Sequence, residues 1–489
     1  MKGAGWRALE RLGSGVTVMV VLLVLAACGD QTDQTPRDTS PPRGEDLVER
    51  SAKPGGGSGD FEYALPINPH ELEAAELDSL LDRAESAGAD SIFAGAVWWY
   101  MAPREGQPLE YRDLDRLVRE TERRGLGLRL QISGTPDWVH PELRSSEPDF
   151  EQRIWHPPRS ARELEEFEGF VESLVGRYGT RVRSYEIWNE PNSVDFWKPS
   201  PDPEEYAALL RAAYLAAKRT DPEVAIQSGG LSMNDAGYLE HYYRAASEYP
   251  GAEENRFFFD VLGVHPYTYG RSPDWTGEGQ VEEGRFGPVD TSFAGMERLR
   301  ATMEDNSDGD KPFFIGEFGY STEETWMPAV PDRVRALYLK RAYDISRRLP
   351  YVTGMTWYAL APESSVGPEW TLLDENGRPN STYRALRQSA GSEATGVAVR
   401  LPDERETVSG AHGVRPSISG AGDSSVRRWE LYVDGTLMES GASAPLTLET
   451  RDLEDGVYEL VAAAYTRGGS VWASDPATLE VRNTRSSGR

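Results

Sequence analysis

Cysteine is almost absent: Cys28 is the single one among 489 residues. Without a second thiol no internal disulfide can form, so the chain must be held together by its hydrophobic cores. Histidine is scarce too, with six residues, and no His/Cys/Asp cluster has the spacing of a zinc site. Neither a metal nor a cofactor is expected. Basic residues are outnumbered, 52 Lys and Arg against 80 Asp and Glu, for a formal net charge of −28. That balance argues against nucleic acid and anionic lipid surfaces as partners, though it names none. No Gly-x-Gly-x-x-Gly follows the first strand-like segment, no P-loop is present, and no Ser-His-Asp set is legible. Nucleotide-binding and serine-hydrolase chemistry recede accordingly.

A long apolar run is also lacking. Lys2, Arg7 and Arg11 precede the stretch Val16 to Ala27, too short to span a bilayer comfortably and suited to a signal-peptide core. The stretch ends in Leu25-Ala26-Ala27-Cys28, which resembles a bacterial lipobox. Its coincidence with the lone cysteine predicts a lipoprotein signal over residues 1–28, with Cys28 lipidated. Membrane contact is expected only through that anchor, on an exported protein held at the cell surface, or secreted if Cys28 is incidental. Residues 29–59 are rich in Pro, Gly, Ser, Thr and charge with almost nothing to bury, and read as a flexible linker.

From residue 60 to 390 short β-rich runs alternate with amphipathic helical stretches. Strands are predicted at 61–67, 91–97, 126–132, 182–188, 224–229, 258–265, 312–317 and 352–358. Leu164, Phe167, Val171, Leu174, Val175 and Tyr178 form one helical stripe; Tyr206, Leu209, Leu210, Ala213, Tyr214 and Ala217 form another. Eight β/α units over this length fit an α/β protein of the (β/α)8 TIM-barrel class, with a doubly wound sheet as the rival. Residues 396–484 differ. Arg428 to Val433 and Gly456 to Val461 alternate with period two around turn dipeptides, predicting a small all-β sandwich. Its Val-Asp-Gly and Asp-Gly-Val-Tyr segments resemble bacterial immunoglobulin-like modules. Trp429, Tyr432, Tyr458, Tyr465 and Trp472 suffice for a core, which favours a spacer or packing role over polysaccharide binding.

Trp188-Asn189-Glu190-Pro191-Asn192 directly follows the fourth predicted strand, and the run Pro312 to Gly316 delivers Glu317 at the end of the seventh. Two carboxylates brought together by two strand ends are the minimum equipment for cleaving a glycosidic bond. Together these segments resemble the retaining glycoside hydrolases of the (β/α)8 clan A, whose acid/base and nucleophile end strands four and seven. The pentapeptide and Thr135-Pro136-Asp137-Trp138 look most like family 39, with families 5 and 42 as relatives.

The resemblance implies specific roles. Glu190 would be the general acid/base and Glu317 the nucleophile, with their carboxyl groups about 5–5.5 Å apart. Asn189 would donate to the sugar 2-hydroxyl. His265 and Tyr267, in Val264-His265-Pro266-Tyr267, would line the sugar site, and Trp357 would form the platform beneath it. Ten of the thirteen tryptophans fall between Trp98 and Trp370. Trp98 and Trp138 at strand ends are expected to bind substrate, with Trp99 and Trp197 nearby. One departure stands out: the clan carries an arginine on strand two that supports the nucleophile, and this chain has Phe93 near that place. Arg129 on strand three is a conceivable substitute.

The function so predicted is hydrolysis of a β-linked oligo- or polysaccharide by double displacement. β-Xylosides, β-glucosides, β-glucans and mannans all fit; exo or endo action and the oligomeric state stay open. Two rivals are a non-catalytic cell-surface carbohydrate-binding protein on a barrel scaffold and an adhesin acting through its β-domain. Retention of both glutamates disfavours the first. Glycan binding by residues 396–489 alone would mark the second.

Overall fold

The computed structural model describes residues 61–483 except 148, 276–280, 365, 392–397, 401–406, 420–425, 434–435, 452, 468–470 and 475–476. The expected signal, Cys28 and the linker lie outside the described residues.

A nine-stranded parallel sheet forms the centre. Its strands are β1 (Glu62–Pro66), β2 (Ser91–Val97), β3 (Gly127–Ser133), β4 (Ser184–Ile187), β5 (Ile226–Ser228), β6 (Leu231–Ser232), β7 (Leu262–His265), β10 (Phe313–Phe318) and β11 (Val352–Trp357). Between β7 and β10 a small antiparallel hairpin intervenes, β8 (Val281–Glu283) with β9 (Pro288–Asp290). The sheet order is β5-β4-β3-β2-β1-β11-β10-β7-β6. Two of the nine, β5 and β6, are pieces of one strand broken at Gly229-Gly230, and Gln227 bridges Val261 in parallel just ahead of β7. The sheet therefore closes into a barrel of eight strands, which removes the doubly wound alternative. Closure is tight: a Cβ on Gly263 would lie 2.4 Å from the Ser228 carbonyl oxygen.

Eight main helices run outside: α1 (Ala74–Ala87), α2 (Arg112–Arg124), α3 (Ala161–Tyr178), α4 (Pro203–Thr220), α5 (Ala236–Ser247), α6 (Met296–Asp305), α7 (Asp332–Arg348) and α8 (Ser381–Gly391). Local chemistry sets their starts. Ser160 and Glu163 close a capping box on α3, and Asp202 caps α4 with Pro203 in its first turn. Both predicted stripes face the sheet, except that Leu164 is only partly buried while Phe170 joins the core. Each large apolar side chain so buried contributes about 1.5–3 kcal/mol before entropy is counted.

The barrel interior near the strand starts holds a charge pair. Arg129 on β3 grips Glu62 of β1 through two bonds of 2.9 Å and lies over the Phe314 ring. Arg129 is thus committed at the floor of the barrel and does not support Glu317. The substitution weighed from the sequence fails because Arg129 lies early on β3, away from the strand ends.

Strands from Ala398 to Val481 build the small β-sandwich, centred on Val426–Val433 and Gly456–Thr466. Trp429, Leu431, Leu448, Leu460 and Leu479 fill its own core. Tyr432, Val461, Ala463 and Tyr465 belong instead to the apolar cluster of the barrel, where Tyr465 donates to the Arg333 carbonyl and Lys340 of α7 lies 4.0 Å over Trp472. The sandwich packs on α7 through this face.

Candidate active site

Strand four ends in a strained turn. Trp188 and Glu190 both have positive φ, 73° and 35°, a region costly for residues with a side chain and frequent where function over-determines the backbone. Several contacts hold the turn. Tyr206 of α4 donates its hydroxyl to the Ile187 carbonyl at 3.1 Å and accepts the Gly229 N–H at 2.7 Å. Asn192 and Ser232 exchange two bonds that tie the loop to β6. The indole N–H of Trp188 is spent on the Phe196 carbonyl, and Trp197 is buried between Trp188 and Tyr206, donating to Glu205. With the loop pinned this way, Glu190 is left at the strand end.

Strand seven delivers its carboxylate through a bulge. Ile315 pairs with Met355 and Phe318 with Trp357, so β10 uses three steps where β11 uses two. The extra residue turns Glu317 toward the cleft, as bulges at barrel rims do. There the Tyr267 hydroxyl donates to Glu317 Oε2 at 3.1 Å. His265, fully buried on β7, places Nδ1 3.0 Å from Glu190 Oε1.

The electrostatics follow from crowding. Burial pulls the His265 pKa down, but the charges of Glu317, Glu190 and Glu186 and the bond to Glu190 carry it up to about 9. Burial raises Glu317 above the usual carboxylate range, Glu190 adds to the rise, and His265 and the Tyr267 hydroxyl oppose it. Glu186, on β4 beneath the other two, is pushed up to about 7, first by burial and then by Glu317, against His265, Gln131 and the Gly230 N–H.

Of the residues singled out from the sequence, Glu190, Glu317, Asn189, His265 and Tyr267 come together. The three tryptophans do not. Trp98 is buried among Trp138, Phe167 and Phe170 in the layer between barrel and α3. Trp138 stands edge-on to Trp98 and donates its N–H to the Ala102 carbonyl at 2.7 Å. Trp357 is wholly buried against Phe318 and Tyr320. Strand alternation puts it on the same side as Met355, whose sulfur faces Ser346 of α7, and turns the next residue, Tyr358, inward. Burial and the charges of Glu317 and Glu190 together raise the Tyr358 hydroxyl's pKa. Trp326, 59% exposed, stacks on Trp370 at 5.3 Å and stands edge-on to Tyr267 and Tyr269. An aromatic wall therefore borders Glu317 without Trp357.

The sequence offered signals for some of what it hid. Glu186 is a charged residue inside the apolar run from Val182 to Ile187, and Gln131 a polar one between Leu130 and Ile132. Neither position is affordable without a partner. Among the described residues no group of three or more His, Cys, Asp or Glu is arranged to hold a metal ion, and no helix is long and apolar enough to cross a membrane.

No family model matches the chain. A β-xylosidase of Geobacillus stearothermophilus is 24% identical over 228 residues, 44% of this chain and 43% of the relative; the match thus spans less than half the length of that protein. Among solved structures, a family 39 glycoside hydrolase from Bacteroides cellulosilyticus WH2 superposes with a TM-score of 0.53 at 19% identity, over 80% of this chain and 79% of its own. A monomeric β-xylosidase from Caulobacter crescentus CB15 gives 0.51 at 16% identity, over 88% and 81%. At these identities the likeness establishes the barrel fold.

Proposed function

We propose that this chain is a retaining β-glycosidase in which Glu317 is the nucleophile and Glu190 the acid/base. The observation that supports this is the pair at the strand ends: Glu317 held by the Tyr267 hydroxyl and Glu190 by His265, near enough that the charge of Glu190 acts on Glu317. In the first step Glu317 bonds to the anomeric carbon while the C–O bond to the leaving group breaks and Glu190 gives that oxygen its proton. In the second, Glu190 takes a proton from water, whose oxygen bonds to the anomeric carbon as the ester to Glu317 breaks. Two inversions restore the original configuration.

The coupled charges suit this order. A proton on Glu190 removes the like-charge repulsion that raises Glu317, and so favours the ionised nucleophile. With His265 donating to Oε1, the proton of Glu190 belongs on Oε2. Tyr358 and the Trp326–Trp370 stack supply faces against which the C–H side of a pyranose packs. β-Xylosides are the first substrates to try, because the curated relative is a β-xylosidase.

A panel of chromogenic β-glycosides tests the proposal. One or more should be turned over, with retention in the first product by proton NMR, and Glu317→Gln should abolish turnover with the fold intact. An inverted first product, or a fully active Glu317→Gln variant, would sink it. Cell-surface attachment through Cys28 is part of the same proposal, supported by the lipobox-like segment. Cys28→Ser should then release the protein from the membrane fraction without changing its turnover; a variant still pelleting after a high-salt wash would refute the anchor.

A further inference from the structure

Gln131 stands between Glu186 and Asn189, and its one amide nitrogen serves both. Nε2 lies 2.8 Å from Glu186 Oε1 and 3.1 Å from Asn189 Oδ1. The two ends of an amide have nearly the same shape, so something must decide which end faces which neighbour. That decision starts at Glu186. Glu186 takes N–H groups from Gln131, Gln227 and Gly230, a ring of donors that fits the ionised carboxylate, which only accepts and is the main form above about pH 7. Gln227 cannot turn over to relieve it, because its Oε1 already accepts from Ser184 Oγ at 3.2 Å and Arg129 Nη1 at 3.4 Å. Gln131 must therefore present its NH2 group. Facing that group, Asn189 must present Oδ1, which leaves the Asn189 NH2 for the cleft.

We propose that Glu186 is a positioning residue: through Gln131 it fixes the Asn189 amide so that its N–H donates to the sugar hydroxyl beside the anomeric carbon. This rests on the glycosidase proposal above and adds a source for its preference among sugars. A buried carboxylate is a costly way to hold an amide, and its value here is that, once ionised, it has no donor end to confuse the order.

Glu186→Gln reverses the sequence of choices. The new amide has one acceptor end, which pinned Gln227 claims, so its NH2 faces Gln131. Gln131 then turns, Asn189 turns after it, and an oxygen meets the sugar where an N–H stood. Chromogenic β-glycosides with and without the 2-hydroxyl, assayed above pH 7 where Glu186 is mostly ionised, measure this directly. The wild type should prefer the hydroxylated substrate in kcat/KM, and Glu186→Gln should cut that preference by about tenfold, the worth of one well-placed hydrogen bond in a closed site. Turnover of the 2-deoxy substrate should be largely kept. Asn189→Ala should lower the preference by a similar factor, with little further loss when the two changes are combined. Glu186→Asp, still acceptor-only, should recover part of it.

Gln131→Met gives a second route that leaves the buried carboxylate in place, should Glu186→Gln fold poorly. Equal losses on both substrates, or fully additive losses with Asn189→Ala, would overturn the inference while leaving the glycosidase proposal standing. A wild type inactive on every glycoside would remove both.

Discussion

His265 Nδ1 meets Glu190 Oε1 at 3.0 Å, while the far side of the same ring is fitted against two glycines. A Cβ on Gly230 would lie 2.1 Å from His265 Nε2, and one on Gly316 2.8 Å from it. The imidazole is therefore held by one carboxylate and by the absence of two side chains. Its charge also acts on a second carboxylate, because it is the largest influence opposing the rise of Glu317.

That charge predicts a pH shift. A nucleophile must be ionised, so under the proposed mechanism the acidic limb of kcat/KM should report Glu317 in the free enzyme. Removing the positive ring in His265→Gln takes away a lowering influence, so the Glu317 pKa rises and the acidic limb moves to higher pH. The expected displacement is about 1–3 units, the usual effect of one close opposite charge. An unmoved limb with an intact fold would show that His265 does not set the state of Glu317.

In the proposed mechanism Glu190 acts on the leaving group, which separates it from Glu317 kinetically. Glu190→Ala should depress turnover by about 10²–10⁴-fold for poor leaving groups that need a proton, and much less for good ones. Azide can enter the space left by the side chain and needs no general base, so it should restore turnover and yield a β-glycosyl azide. Equal losses across leaving groups would assign the proton to another residue.

The barrel and the two carboxylates at its strand ends were legible because both signals are local. Period-two runs separated by helical stripes mark the strands, and Trp188 to Asn192 marks the end of the fourth. The aromatic wall was not legible, for reasons that lie between segments. Trp357 follows an apolar strand as a platform residue would, but the side it faces depends on register with β10, and that strand carries a bulge between Ile315 and Phe318. Trp98 and Trp138 sit at strand ends yet pair with each other and with α3, which sequence spacing cannot foresee. Trp326 lies in a loop with no periodicity to place it beside Trp370. Arg129 misled in another way, because only the fold reveals that Glu62 waits for it.

Trp326 has its indole stacked on Trp370 yet remains largely open to solvent. Such a face next to Tyr267 would bind a sugar ring in ground and transition states alike, which changes KM more than kcat. Trp326→Ala should raise KM by about 2- to 10-fold, the scale of about 0.5–1.5 kcal/mol for an aromatic contact, and leave kcat nearly unchanged. Steady-state kinetics on an oligosaccharide and on a small chromogenic glycoside would locate the contact. A lower kcat on both would place Trp326 at the reacting sugar rather than beyond it.

At the floor of the barrel, Glu62 and Arg129 make a stability prediction. Burial would raise the Glu62 carboxyl, but the hydrogen bonds and charge of Arg129, with help from Arg183 and the Ser91 hydroxyl, bring it down to about 2. A group with a depressed folded pKa stabilises the fold above its unfolded value, here 4.5. That contribution should fade as pH falls from about 4.5 toward 2. Arg129→Met strands a buried carboxylate and should cost about 3–5 kcal/mol. The loss should fall near the lower end, because Arg183 still reaches Glu62 at 2.9 Å from a half-exposed position. Chemical denaturation at neutral pH measures it, and repeating the series toward pH 3 should narrow the gap as wild-type Glu62 begins to lose its advantage. Replacing Glu62 and Arg129 together with Leu and Met should recover most of the stability, since an apolar floor needs no pairing. A double variant as weak as Arg129→Met alone would show that the pair shapes the barrel rather than merely satisfying its own charge.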